Sequence, residues 1–461
     1  MLAIEEIAKY LVKTKFEDIP SKTVERQKDL VIDTLGVAVA GSRAPGVEKI
    51  VSLLRETGGK EESSILVYGG KLPSAHATMV NSLMAHALDF DDMHEEAGIH
   101  TNICVVPAAL AMAEKVGGVD GRTFLTAVIL GVDLICRMGV SIPLSRGWHA
   151  TTTFGIFGAT VASAKILGLD ELRMANALGI AYCQASGNRQ GRLEGALTKR
   201  LQPALAAKAG VFSSLLSYEG VTGPKEILEG DWGMLRLYAD PHYSFDQGKI
   251  IKRIMQDLSK RFLGDELIIK PYPSCRATHS SIDGVLRLMK GNKIQVNEIE
   301  EVEVFVSNGC YQTVGRPFEI RTDPQVDAQF SIPYTVATAI LAGKVGLEDF
   351  TEAAIKDAHR MGLAKRVKVS IDKELQDSST NVVNLESHVA IKVKGETFSH
   401  WAPISKGHPK RSMDRSEILS KFKNCLRFGT HRYTDKGDRV ISAILKFEEI
   451  HDISCVPPLL C

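Results

Sequence analysis

From the N-terminus to about residue 265, apolar positions recur at helical spacing. Ile4, Ile7, Ala8 and Leu11 share one face, which predicts an amphipathic opening helix. Pro20 and Ser21 open a second helix, with Ser21 placed as its N-cap. Its far end, Leu35-Gly36-Val37-Ala38-Val39-Ala40-Gly41, is small or apolar all round. Such a helix is buried on most sides, and small residues let its neighbours approach closely. The same composition returns at Pro107–Glu114, Gly155–Leu167 and Ala204–Leu216. No fixed period relates these segments, which argues against a solenoid.

The rhythm changes near Pro271. Glu301–Val306, Arg366–Ile371 and His388–Val393 alternate polar and apolar residues, as half-buried strands do. Helical runs at Ser281–Met289 and Phe330–Ala342 lie between them. Strands and helices mixed in this way predict a small α+β domain with a mostly antiparallel sheet. Beyond Trp401 a polar stretch, Ser405–Arg411, leads into a helical pattern at Ser416–Phe422. The expected fold is therefore mainly α. A large all-helical domain begins at 1–268, a smaller α+β lid domain is inserted at 269–400, and residues 401–461 return to the helical domain.

Composition narrows the function. At 461 residues, length alone allows roughly two or three domains. Lys plus Arg is 56 against 55 for Asp plus Glu, a net charge of +1. That balance excludes a polyanion binder working by bulk charge, so no nucleic-acid partner is expected. No apolar stretch of about 18 residues runs free of charge, so no membrane partner is expected. The opening segment carries Glu5 and Glu6 where a signal peptide would be basic, and a cytoplasmic protein is expected. Eight cysteines are scattered without a CxxC, which argues against a zinc site or a redox pair.

Four segments could carry chemistry. His86-Ala-Leu-Asp89-Phe-Asp91-Asp92-Met-His94-Glu95-Glu96-Ala-Gly-Ile-His100 holds four further carboxylates and two further histidines around Asp89 and His86. Asp89 follows an apolar run and sits one helical turn from His86. General acid/base work, a metal site using His86, Asp89 and His94, and a solvated loop all remain open at this point. In Arg146-Gly-Trp-His149-Ala-Thr-Thr-Thr a histidine stands among hydroxyls at a helix start, either facing a ligand or partly buried behind a cap. In Gly191-Arg-Leu-Glu-Gly195-Ala-Leu-Thr198-Lys199-Arg200, two cations enter a helix of small residues. No Gly-Lys-Ser/Thr core is present, so a carboxylate clamp is favoured over nucleotide binding or a solvated helix end. Lys270-Pro-Tyr-Pro-Ser-Cys-Arg276-Ala-Thr-His279 falls where two domains should meet, a preferred place for a ligand cleft.

Together these segments resemble the MmgE/PrpD family, whose members include 2-methylcitrate dehydratase, cis-aconitate decarboxylase and iminodisuccinate epimerase. The resemblance rests on HALDFDDMHEEAGIH, GWHATTTFGIFGA, GALTKRLQPALAAKAGVFSSLL, KPYPSCRATHSSID and DAQFSIPYTVATAI, in that order. It implies catalytic roles for Asp89, His100, His149, Lys199 and His279, catalysis without metal or organic cofactor, and a homodimer. The chemistry it implies is proton transfer at a carbon next to a carboxylate. Lys199, helped by Arg200 or Arg276, would clamp the substrate carboxylate. His100 would be the general base or acid, and Asp89 would orient or tune an imidazole. A cofactor-free dehydratase of a citrate-like polycarboxylate is the preferred expectation. An epimerase, a decarboxylase or a non-catalytic carboxylate-binding protein are the alternatives.

Overall fold

The structure, a computed structural model, describes residues 2–145, 147–240, 246–377, 383–430 and 435–461. The chain forms two units. A helical unit comprises 1–189, 200–267 and 414–461, and an α+β unit comprises 190–199 and 268–413. The protein is mainly α, with small sheets.

The helical unit begins with α1 (Ala3–Lys13), α2 (Ser21–Gly41) and α3 (Val47–Thr57). A two-residue ladder of β1 (Ser63–Ser64) with β2 (Lys71–Leu72) follows. Then come α4 (Ser74–His86), α5 (Asn102–Val116), α6 (Gly121–Ser141), α7 (Ala150–Ile166) and α8 (Glu171–Tyr182). The short α9 (Gln190–Leu193) and the first two residues of α10 (Thr198–Tyr218) belong to the α+β unit. The rest of α10, α11 (Met234–Leu237) and α12 (Gln247–Met255) return to the helical one.

The amphipathic reading of α1 holds: Ile4, Ile7, Ala8 and Leu11 are all buried. Ser21 does not cap α2. It is the first helical residue, Pro20 occupies the cap position in extended backbone, and no side chain caps the helix. From Leu30 to Gly41 every residue of α2 is buried, and each enclosed Leu, Ile or Val side chain contributes about 1.5–3 kcal/mol. The close approach expected of small residues is seen where α6 crosses α7. A Cβ on Gly131 would meet the Gly158 carbonyl oxygen at 2.7 Å, and one on Gly158 would meet the Gly131 oxygen at 2.8 Å. Helix α6 is long and apolar enough to cross a membrane, yet 83% of its apolar window is buried inside the protein. It also carries the buried Arg137–Asp133 pair at 2.6 Å. The Arg137 guanidinium further donates to the Ile254 and Gln256 carbonyls, so α6 is a core helix.

The α+β unit continues with α13 (His279–Asn292), β3 (Ile299–Val306), α14 (Asn308–Cys310), α15 (Pro324–Gln329) and α16 (Ile332–Ala342). After these come α17 (Glu352–Ile355), α18 (Ala358–Ala364), β4 (Val367–Ile371), β5 (Ser387–Val393) and β6 (Glu396–Ala402). The sheet order is β4-β3-β5-β6. The β3–β5 and β5–β6 pairs are antiparallel, but β4 runs parallel to β3 because a helical crossover joins them. Val302, Val304 and Val306 of β3 and Val389 and Ile391 of β5 point into one core with Ile282 and Val285 of α13 and Val336 and Ile340 of α16. The chain then re-enters the helical unit as α19 (Arg415–Thr430) and α20 (Asp435–Leu445). Helix α19 lies on α2, where Phe422 fills the space a side chain at Gly36 would need.

Candidate active site

Helix α4 stops at His86, and the chain reverses before α5 begins at Asn102. The reversal uses Asp89, which is buried and has φ of 51°. Asp tolerates this left-handed region better than most residues. The turn brings the Asp91 carboxylate back against two imidazoles. His86 Nδ1 lies 3.0 Å from Asp91 Oδ2 in a hydrogen bond, and an ionised carboxylate only accepts, so Nδ1 carries the proton. His100 Nδ1 lies 2.7 Å from the same oxygen, as an ion contact and not an aligned hydrogen bond. The two rings meet edge to face with centroids 4.8 Å apart. His86 and Asp91 have side-chain exposures of 0%, whereas His100 retains 12% and is the member of the set that a substrate can reach.

The carboxyls of this turn are driven in opposite directions. Burial works to raise Asp91, but the charges of His100 and His86 and the hydrogen bond from His86 prevail and hold it well below the usual carboxylate range. Asp92 is pushed upward, by burial first and then by the Asp91 charge. Its Oδ2 accepts from Thr101 Oγ1 at 2.8 Å. Neighbouring groups whose protonation preferences are separated by their surroundings are what acid/base chemistry near neutral pH requires.

The first turn of α7 joins this cluster. The His100 backbone N–H donates to Thr151 Oγ1 at 3.1 Å. His149 occupies the N-cap position of α7, half-buried, with Nδ1 2.6 Å from Thr152 Oγ1. The end of α4 and the starts of α5 and α7 thus hold Asp89, His100 and His149 within one unit. Arg146, which precedes His149 in the motif, lies outside the described residues. Arg200 also belongs to this unit and is buried.

Lys199, Arg276 and His279 belong to the α+β unit. Lys199 is buried, with Nζ 5.1 Å from the centre of the Phe330 ring. Arg276 donates to the Lys406 carbonyl at 2.8 Å. Both nitrogens of His279 have partners: Nε2 lies 3.2 Å from the Ser274 carbonyl and Nδ1 lies 3.3 Å from Arg276 Nη1. A carbonyl only accepts and a guanidinium only donates, so this ring is held as the neutral Nε2–H tautomer. Tyr272 stands edge-on to it, centroids 5.1 Å apart.

The sequence reading did not single out Asp91, whose Oδ2 lies against the Nδ1 atoms of both His86 and His100; a spacing of five across a helix end is invisible to helical periodicity. The candidate metal set also changes. Donor atoms of His86, Asp89 and His100 lie within 4.8 Å of one another. His94 instead turns Nε2 towards Glu266 at 3.8 Å and pairs its backbone with Ile99. Acid/base work without metal predicts that exhaustive chelation leaves turnover unchanged. Loss of turnover with rescue by one divalent ion would assign His86, Asp89 and His100 as ligands.

Within the helical unit, the turn after α4 is a buried cluster of carboxyls and imidazoles with the chemistry of an acid/base site. Residues 5–246 match the MmgE/PrpD N-terminal domain, and residues 272–446 match the MmgE/PrpD C-terminal domain. The chain belongs to the MmgE/PrpD family. It is 29% identical to a cis-aconitate decarboxylase of Aspergillus terreus, over 99% of this chain and 95% of that one. It is 25% identical to the Homo sapiens cis-aconitate decarboxylase and 24% identical to that of Mus musculus. Those two alignments each cover 99% of this chain, and 94% and 93% of the respective relatives.

Proposed function

We propose that the protein is a lyase acting on a small polycarboxylate, and that the bond it breaks joins a carbon to a carboxylate. The observation that carries the acid/base part is the Asp91 carboxylate shared by His86 and the partly exposed His100. The choice of decarboxylation is supported by the relatives, which are named cis-aconitate decarboxylases. They lend no support to the dehydratase preference drawn from sequence, nor to the epimerase alternative. Loss of carbon dioxide leaves an electron pair on carbon, and one proton must be delivered there. His100, partly exposed beside Asp91, is the donor, with His149 as the alternative. Lys199, Arg200 and Arg276 offset the remaining carboxylates.

Incubation with cis-aconitate and citrate-like acids in deuterated water tests this by NMR. A product lacking one carboxyl and carrying one deuterium at the vacated carbon is expected. A new alkene formed from a hydroxy acid would mean dehydration. Deuterium in unchanged acid would mean epimerisation, and binding without turnover would leave a carboxylate-binding protein.

The working unit is proposed to be a homodimer formed through the helical unit. Leu205 and Phe212 lie two turns apart on α10 and are exposed, as are Tyr218 and Trp232. Light scattering at micromolar concentration should give twice the 50.3 kDa chain mass. Phe212→Glu should shift it towards the monomer. A monomeric wild type would remove the dimer.

A further inference from the structure

The turn that carries Asp89 and Asp91 is supported from below by a residue some 330 positions away in sequence. Lys421, on α19, is buried, and its Nζ donates to the Phe90 carbonyl at 2.7 Å. The same ammonium lies 3.9 Å from the centre of the Phe90 ring and 2.6 Å from Asp33 Oδ1 of α2. Phe90 stands between Asp89, in its left-handed conformation, and Asp91, the shared carboxylate. All five residues lie in the helical unit.

We propose that Lys421 is a positioning residue for the His86–Asp91–His100 cluster. It grips the peptide and the ring of Phe90, and Asp33 holds the ammonium in place. Three independent contacts on one ammonium fix where the Phe90 carbonyl points. That carbonyl is bonded directly to the Asp91 nitrogen, so its orientation sets the path of the chain into Asp91. A lysine placed merely to neutralise Asp33 would not need the second and third contacts. Burial pushes Asp33 up to about 6, against the pull of Lys421.

The inference deepens the acid/base reading above and rests on it. Its test therefore includes a readout that needs no turnover. Lys421→Met keeps a flexible apolar stem but removes the ammonium. It should lower kcat by about 10²-fold with KM little changed, the size expected when a reacting group is misplaced by about 1 Å. The imidazole NMR signals of His86 and His100 should shift in the substrate-free variant. Lys421→Arg should restore part of the rate.

The single variant strands a buried carboxyl, which by itself perturbs folding. Asp33→Asn combined with Lys421→Met removes both charges, and a pair removed together is tolerated far better than one partner alone. The double variant should fold with a wild-type melting curve and remain slow, with the same displaced histidine signals. Wild-type kcat and unmoved histidine signals in the folded double variant would overturn the proposal and leave Lys421 as a counter-ion for Asp33. If wild-type protein turns over no polycarboxylate, the acid/base reading fails. The histidine signals alone would then decide whether Lys421 positions the turn.

Discussion

Asp91→Asn should lower kcat/KM on the polycarboxylate substrate by on the order of 10³, within the range that a positioned acid or base contributes. The fall should lie mainly in kcat, because the substituted atom faces imidazoles and not solvent. Asparagine keeps the shape of the carboxylate but not its charge. An imidazolium at His100 loses its counter-ion, and the Nδ1–H of His86 meets an amide whose nitrogen cannot accept. The pH dependence of stability gives a second readout with a fixed sign. Asp91 is held well below the usual carboxylate range in the folded protein. Its contribution is therefore fully present above an unfolded value of about 4 and disappears as pH falls through the folded value. Wild type and variant should converge in stability in strong acid, separate as pH rises from the folded value towards about 4, and keep a constant gap above it. A folded Asp91→Asn protein with the wild-type rate would remove the shared carboxylate from the mechanism.

The second large effect is expected at Lys199. Lys199→Ala should lower kcat/KM by on the order of 10² or more, the loss typical of one preorganised charge-stabilising donor. Its melting temperature should stay nearly unchanged. Net charge over the whole chain is +1, so an anionic substrate is not drawn in by the surface at large and the attraction must be local. Lys199→Arg should rescue in part, because a planar fork replaces a compact ammonium. Over the Phe330 ring, 5.1 Å from Nζ in the native protein, the flat group can stack but cannot reproduce the same point charge. A stable and fully active Lys199→Ala protein would refute the clamp. An unfolded one would make the lysine structural and move the search for the cationic pocket to Arg276.

Much of this was readable in the sequence, for reasons that also mark its limits. Strands β3, β4 and β5 alternate cleanly because one face packs under α13 and α16, and alternation is a local signal. Strand β6 was missed: Glu396-Thr-Phe-Ser-His-Trp-Ala is mostly exposed, so no buried face marks it. Its pairing with β5 is set by the turn at Lys394 and Gly395, where φ is 51° and 82°. The parallel course of β4 was also missed, since direction depends on the crossover between strands and not on residues within them. At the site, residue types drew attention to the segments around Asp89 and His149, because polar groups between apolar helices are costly unless they have partners, whereas His100 was picked out by the family resemblance. Pairings were not announced. Asp91 with His86 and His100 required the turn, and Lys421 under Phe90 required the packing of α19 on α2.

That packing has a consequence for how the protein is made. Helix α2 leaves the ribosome early, but α19, which covers it at Gly36, follows about 370 residues later. At about 5–20 residues per second, the nascent α2 waits roughly 20–75 s for its cover. During that time its apolar side faces water, and the turn at Phe90 lacks the ammonium that grips it. The α+β unit is translated in between and is complete before the helical unit can close. A ribosome that stalls before residue 415 therefore releases no smaller enzyme. It releases a chain with an open hydrophobic seam, which is a substrate for chaperones and proteases.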